Sequence, residues 1–253
     1  MRREFVTLLV LTLSAVSAQA GPPQNPDPKL RAEAIAAEVM QALGGHDAWR
    51  DTRYLRFDFA VERAGQKRPP RAHTWDKWTG RYRVEGTLPE GDPYVVLMNL
   101  NTREGKAFRK GAEVSGDEAK KLLERGYGAW INDTYWLLMP YKLRDEGVTL
   151  AWEAELTGAN GTLDKIALSF AQVGLTPGDR YRVYVNRTTH LVDQWDYTLQ
   201  SGDKGSFYWK DWKRVGKIML ASDRPSLGKD GTRIFFPIIE APAEIKDSVF
   251  TTP

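Results

Sequence analysis

Residues 126–144 read GYGAWINDTYWLLMPYKLR, and the rest of the chain has to be built around this stretch. It gathers Trp130, Ile131, Tyr135, Trp136, Leu137, Leu138 and Met139 into one short segment. On a helical wheel Trp136 falls between the only strongly polar pair before Pro140, Asn132 and Asp133, so the segment is apolar nearly all round. Such a helix is buried on most sides, or it plugs an apolar cavity. Pro140 stops it, because proline has no amide hydrogen and biases Met139 away from helical backbone. Upstream, Ser115 with Glu118 three residues later reads as a capping box, opening a helix that closes at Gly126. The sequence therefore predicts a helical hairpin.

Strands flank this hairpin on both sides. Leu55, Phe57, Phe59 and Val61 alternate with Arg56, Asp58, Ala60 and Glu62, which gives one dry face and one wet face. Further strands are predicted at 71–78, 81–86, 94–100 and 105–109, with turn chemistry at 79–80 and 89–93 that favours antiparallel hairpins. After Gly147 the alternation resumes. Val148, Leu150, Trp152, Ala154 and Leu156 share one face; Ile166, Leu168 and Phe170 another; Tyr181, Val183 and Val185 a third. Trp195, Tyr197 and Leu199 oppose Gln194, Asp196 and Thr198, and strands at 207–210, 218–221 and 233–239 complete the set. Ten or more strands with few helices indicate an α+β fold, an antiparallel sheet curled on itself.

The N-terminal region reads differently. Arg2 and Arg3, the apolar run Phe5 to Val16 and Ala18-Gln19-Ala20 form a secretory signal peptide over residues 1–20, leaving one domain, 21–253. The apolar run is well short of the ~20 residues that span a bilayer. RREFV also fits the core of the twin-arginine export pattern. A proline-rich leader, 21–28, precedes a helix capped by Asp27 that runs through Leu30, Ile35, Val39 and Leu43 to Gly44. His46 to Trp49 then reads as a short connection into the first strand.

Composition narrows the function classes. The chain has 253 residues, 42% of them hydrophobic, and no cysteine. That removes disulfide scaffolds, thiolate metal sites, cysteine nucleophiles and acylation of a cysteine after the signal. Losing Arg2, Arg3 and Glu4 takes away one positive charge from the formal +3, leaving about +2, too balanced to point to nucleic acid. No later transmembrane segment is expected. The Asn132, Asn160 and Asn186 sequons matter only in a eukaryotic secretory route.

Catalytic patterns are thin. His46, His73 and His190 lie in separate segments without metal-ligand spacing, so neither a metal site nor a cofactor is expected. There is no nucleophile elbow, phosphate loop or dinucleotide fingerprint. Asp133 beside Trp130 and Trp136 is the one carboxylate whose pKa could be raised for general-acid work. Its simpler reading is a helix-capping or surface-facing residue. His190 reads as a turn residue before a strand, and His46 as a cap or a buried hydrogen-bonding group.

Nine tryptophans and ten tyrosines carry the stronger signal. They either fill a core or line an apolar cavity in a sheet too wide for its own side chains, closed by the central helix. The second reading takes Trp130 to Met139 as a lid and Phe57, Phe59, Trp195 and Tyr197 as wall, with a long acyl chain as ligand. The alternative is a protein-interaction or sensor module whose sheet is fully packed.

The phrases GGHDAW with RYLRFDF, INDTYWLLMPYKLRDEGV, and LVDQWDYTLQ followed by WKDWKRVGKIMLASDR resemble an uncharacterised branch of the periplasmic lipoprotein-carrier superfamily of Gram-negative bacteria. The resemblance implies an incomplete barrel of about eleven strands, with helices over an apolar cavity that receives acyl chains. It implies a periplasmic, non-enzymatic, monomeric binder of a lipid or acylated lipoprotein that meets an inner- or outer-membrane partner protein. In such carriers an arginine on an early strand controls lid closure. The resemblance assigns that role to none of Arg53, Arg56 and Arg63.

Overall fold

The computed structural model describes residues 27–158, 161–171 and 178–253. The predicted signal peptide, most of the proline-rich leader and the Asn160 sequon lie outside the described residues.

Helix α1 (Pro28–Ala42) starts as its sequence dictates. The Asp27 carboxylate accepts the Lys29 amide at 2.8 Å, Pro28 occupies the first turn, and Ala32, Ile35, Ala36, Val39 and Met40 are buried. The supposed connection after it is instead a short helix, α2 (Gly45–Asp51). Gly44 permits the sharp reversal between them: its φ is +117°, and a Cβ there would lie 2.6 Å from the Lys217 carbonyl oxygen. Asp47 in the first turn and Arg50 in the last complement the dipole of α2.

The first run of strands is β1 (Tyr54–Arg63), β2 (Gln66–Lys67), β3 (Arg71–Asp76), β4 (Arg81–Thr87), β5 (Pro93–Asn99), β6 (Gly105–Arg109) and β7 (Ala112–Val114). Helix α3 (Gly116–Leu138) and a 3-10 turn, Met139–Lys142, follow. The second run is β8 (Val148–Gly158), β9 (Gly161–Phe170), β10 (Arg180–Asn186), β11 (Val192–Thr198), β12 (Lys204–Tyr208), β13 (Lys210–Val215), β14 (Ile218–Pro225), β15 (Arg233–Phe235) and β16 (Ile239–Glu240).

Eleven strands form one open antiparallel sheet in the order β13-β14-β15-β1-β3-β4-β5-β6-β7, with β2 and β16 also paired to β1. The other five form a second sheet, β12-β11-β10-β9-β8. The chain crosses between the sheets at Trp209, whose amide donates to the Asp193 carbonyl, while Phe207 bridges to Ser226. The architecture is the α+β, incompletely closed antiparallel sheet that the sequence predicts, extended by a second sheet.

Three local expectations are corrected. The helical hairpin is one continuous helix of 23 residues, α3. Ser115 is its N-cap residue but makes no side-chain cap bond, and the Glu118 carboxylate is engaged by Arg109 at 3.0 Å instead of reaching back to the cap. Gly126 does not end the helix. A Cβ there would lie 2.9 Å from Val96 Cγ1, so the glycine lets α3 press against β5.

The strand predicted at 233–239 breaks at Pro237, which offers no amide hydrogen. Phe235 pairs with Ala60 and Ile239 with Phe57, one residue out of register. In β8 the pairing shifts between Trp152 and Ala154, which ends the predicted alternation and leaves Leu156 exposed.

Two apolar clusters lie within the fold. The larger joins α1, the end of α3, β1, the β9–β11 wall and β14; the smaller joins β4, β5 and β6 to Leu122 of α3. Helix α3 is common to both.

Candidate functional site

The C-terminal half of α3 seats its aromatics on the second sheet. Trp136 meets the edges of Trp195 and Phe207 at centroid distances of 4.5 and 4.9 Å, and Tyr197 at 6.3 Å. Tyr135 reaches Tyr181 and Trp195, both at 5.8 Å. These mostly edge-to-face contacts suit the quadrupoles of the rings. Leu137, Leu138 and Met139 are fully buried, and Ile131 is half-buried. Trp130 belongs elsewhere. It faces the edge of Trp75 at 5.6 Å and Tyr127 at 5.7 Å, in the smaller cluster.

Between the two aromatic contacts α3 carries its one buried carboxylate. Asp133 is fully buried and accepts Arg71 Nε on Oδ2 and Arg71 Nη2 on Oδ1, both at 2.7 Å. Asn132 Nδ2 donates to Oδ1 at 2.8 Å. His73 Nε2 lies 3.0 Å from Oδ2, off the axis of a good hydrogen bond. His73 Nδ1 is 2.7 Å from the Tyr82 hydroxyl.

Strand β3 explains this convergence. Arg71, His73 and Trp75 alternate onto one face of the strand, and their partners across β1 are Phe59, Phe57 and Leu55. Phe57 stacks on His73 at 4.5 Å with a 6° interplanar angle, and the Arg71 guanidinium lies 4.8 Å above Phe59. The two predicted wall phenylalanines thus support the polar node from below.

The electrostatics fix the charge state of the node. Burial raises the Asp133 pKa, but the His73 and Arg71 contacts outweigh it and hold the carboxyl below its ordinary range. Burial lowers the pKa of His73 despite the nearby carboxylate, so the imidazole is neutral. Burial also holds the Tyr82 phenol well above its usual pKa, reinforced by Asp133. The arrangement is an ion pair backed by a neutral histidine, in which Arg71 compensates the buried charge.

Both sequence readings of Asp133 are therefore corrected. It is neither exposed nor a helix cap, and its pKa moves opposite to what a general acid needs. His46 is exposed on α2. His190 sits in a turn at φ 56°, as predicted, with Nδ1 3.2 Å from Glu38. Of the three early arginines, Arg53 pairs with Asp76, Arg56 with Asp58, and Arg63 is exposed. The arginine that reaches the buried carboxylate of α3 is Arg71. The sequence signal that could have found it is the alternation of β3, which puts Arg71 and His73 on one face.

No known family model matches the sequence, and no curated protein matches it. Solved structures do resemble it. A DUF1329 family protein from Desulfovibrio piger superposes with a TM-score of 0.53 at 11% identity, covering 88% of this chain and 97% of its own. A LolA superfamily protein from Nitrosomonas europaea gives 0.49 at 10% identity, covering 87% and 97%. A putative outer membrane lipoprotein-sorting protein domain from Vibrio parahaemolyticus gives 0.45 at 9%, covering 88% and 97%. The first of these likenesses is one of fold. Among the described residues, no helix is long and apolar enough to cross a membrane.

Proposed function

We propose that the protein binds a lipid or acylated lipoprotein non-covalently in the periplasm, on the apolar faces that its sheets turn toward α3, with α3 as the lid. The carrying observation is the seating of Tyr135 and Trp136 against Tyr181, Trp195, Tyr197 and Phe207. Aromatic area donated by one helix is area that an acyl chain can cover in its place. Arg71 and Asp133 form the polar latch that returns the helix to one position, because a buried pair is costly to leave half-made. Opening requires this pair to part and the aromatics to withdraw together. No covalent step is involved. The sequence resemblance and the predicted signal peptide support the periplasmic setting.

The test is uptake. Delipidated protein is titrated with an apolar fluorescent dye and with pyrene-labelled phospholipid, and protein from the periplasm of its own host is weighed by native mass spectrometry with lipid extraction. Uptake of the probes, faster in Asp133→Asn, is the expected result. If no probe enters under conditions in which a known carrier is loaded, the carrier reading fails and a packed interaction module replaces it.

A further inference from the structure

A fully buried arginine lies behind the aromatic wall, apart from the Arg71–Asp133 pair. Arg224 of β14 is fully buried. Its guanidinium is packed against Trp209 at 4.0 Å and Phe236 at 4.7 Å, and Nη1 donates to the Ala221 carbonyl at 2.9 Å. Nε and Nη2 have no hydrogen-bond partner among the described residues. The neighbouring carboxylate, Asp223, is committed to Arg233 at 2.5 Å. Burial pushes the Arg224 pKa down to about 9, with Asp223 opposing, which leaves the cation in place at neutral pH.

The two vacant donors are on one edge of the guanidinium. Nε–H and Nη2–H form the fork that matches two oxygens of a carboxylate or phosphate. A carboxylate fills the same fork in Arg71 with Asp133 and in Arg53 with Asp76, one oxygen to each nitrogen. Buried charge without a counter-charge is strongly disfavoured, and ring stacking compensates it only in part. An open fork in the core therefore calls for an anion that the described residues do not supply.

Its position couples it to the lid. Trp136 of α3 touches Trp195 at 4.5 Å, Trp195 lies 6.4 Å from Trp209, and Trp209 faces Arg224. The indole N–H groups of Trp195 and Trp209 are also unpartnered among the described residues. Helix α3 packs on β14 itself. A chain of contacts thus runs from the lid to the vacant fork.

We infer that Arg224 is the polar anchor of the binding site, receiving the oxyanion of an acyl-chain ligand whose chain lies on the Trp195 wall. This rests on the carrier reading and narrows it to anionic amphiphiles. Neutral lipids of the same chain length are discriminated against, because they leave the cation unpaired.

The experiment compares hexadecanoate with hexadecanol, and sodium phosphate and acetate alone, by calorimetry on the full mature chain, wild type and Arg224→Met. Wild type is expected to prefer hexadecanoate about tenfold or more over hexadecanol, as a charge-assisted fork predicts. The free anions should not bind at millimolar concentration. In Arg224→Met the two amphiphiles should bind equally. Equal binding to wild type overturns the anchor but leaves the carrier reading standing, and so does a preference that survives in Arg224→Met. Binding of free phosphate as tight as hexadecanoate overturns the need for a chain. Binding of neither amphiphile overturns both readings. Were Arg224→Met not to fold, the wild-type ratio and the free-anion arms decide alone.

Discussion

Arg71 and Asp133, 62 residues apart, join strand β3 to helix α3 through two hydrogen bonds of 2.7 Å. The pair sits where α3 passes from the cluster on β4–β6 to the cluster on the second sheet, so one ion pair fixes the position of the helix over both. Its carboxylate is fully buried and its guanidinium about one-third exposed. That asymmetry determines what each substitution costs.

Removing the carboxylate strands a cation and a histidine at a dry site. Asp133→Ala is expected to destabilise the protein by about 3 kcal/mol, at the low end for breaking a buried pair because Arg71 can turn toward water. Replacing both partners, Arg71→Met with Asp133→Leu, should cost less than the sum of the single changes, with a coupling of about 1–3 kcal/mol. Urea unfolding of the four proteins measures it, and additive costs would remove the latch from the account.

Acid should loosen the same node. His73 is depressed in the folded state relative to an unfolded value near ~6.5, so the unfolded chain takes up a proton first. Stability is then fully present above about pH 6.5 and falls as pH drops toward the folded pKa, by up to about 1.4 kcal/mol per unit. Asp133 is also depressed, and its contribution is lost only below about pH 4 as pH falls through its folded value. His73→Gln should flatten the first part of the profile and leave the second. A wild-type melting temperature that is level from pH 7 to 5 contradicts this assignment.

How much of this was legible in the sequence differs between fold and site. Period-two alternation located the strands because each presents one face to a core, and Asp27-Pro28 marked the start of α1. The length of α3 was not legible, because Gly126 reads locally as a terminator and only its proximity to Val96 explains its presence. Nor was the role of Asp133, since an isolated carboxylate reads as solvent-facing until a cation 62 residues earlier is seen beside it. Arg224 follows the same logic: its neighbours Asp223 and Pro225 mark it as a surface residue, and only the register of β13, β14 and β15 turns it inward.

Gly126 can be tested against that explanation. Alanine favours a helix interior by about 1 kcal/mol over glycine, yet here its Cβ would press on Val96, whose branched side chain has little freedom to move. Gly126→Ala is expected to destabilise by about 1 kcal/mol net, overpacking outweighing propensity. In a Val96→Ala background the same change should become neutral or stabilising. A stabilising effect in the wild-type background would mean that α3 does not press on β5.

Trp136 offers the sharpest test of the lid. It is half-buried, and its edge contacts with Trp195 and Phe207 are the tightest that α3 makes with the second sheet's aromatics. Trp136→Ala should cost about 3 kcal/mol, the lower end for a large aromatic because part of the site can hydrate. The space it leaves is walled by Trp195, Tyr197 and Phe207, and an apolar hollow of that kind takes up a small aromatic from solution. Indole at millimolar concentration should therefore recover part of the lost melting temperature in Trp136→Ala and leave wild type unchanged. A loss below about 1 kcal/mol without indole rescue would show that the Trp136 seat does not hold α3 in place, and it would cease to be the place where a ligand competes with the lid.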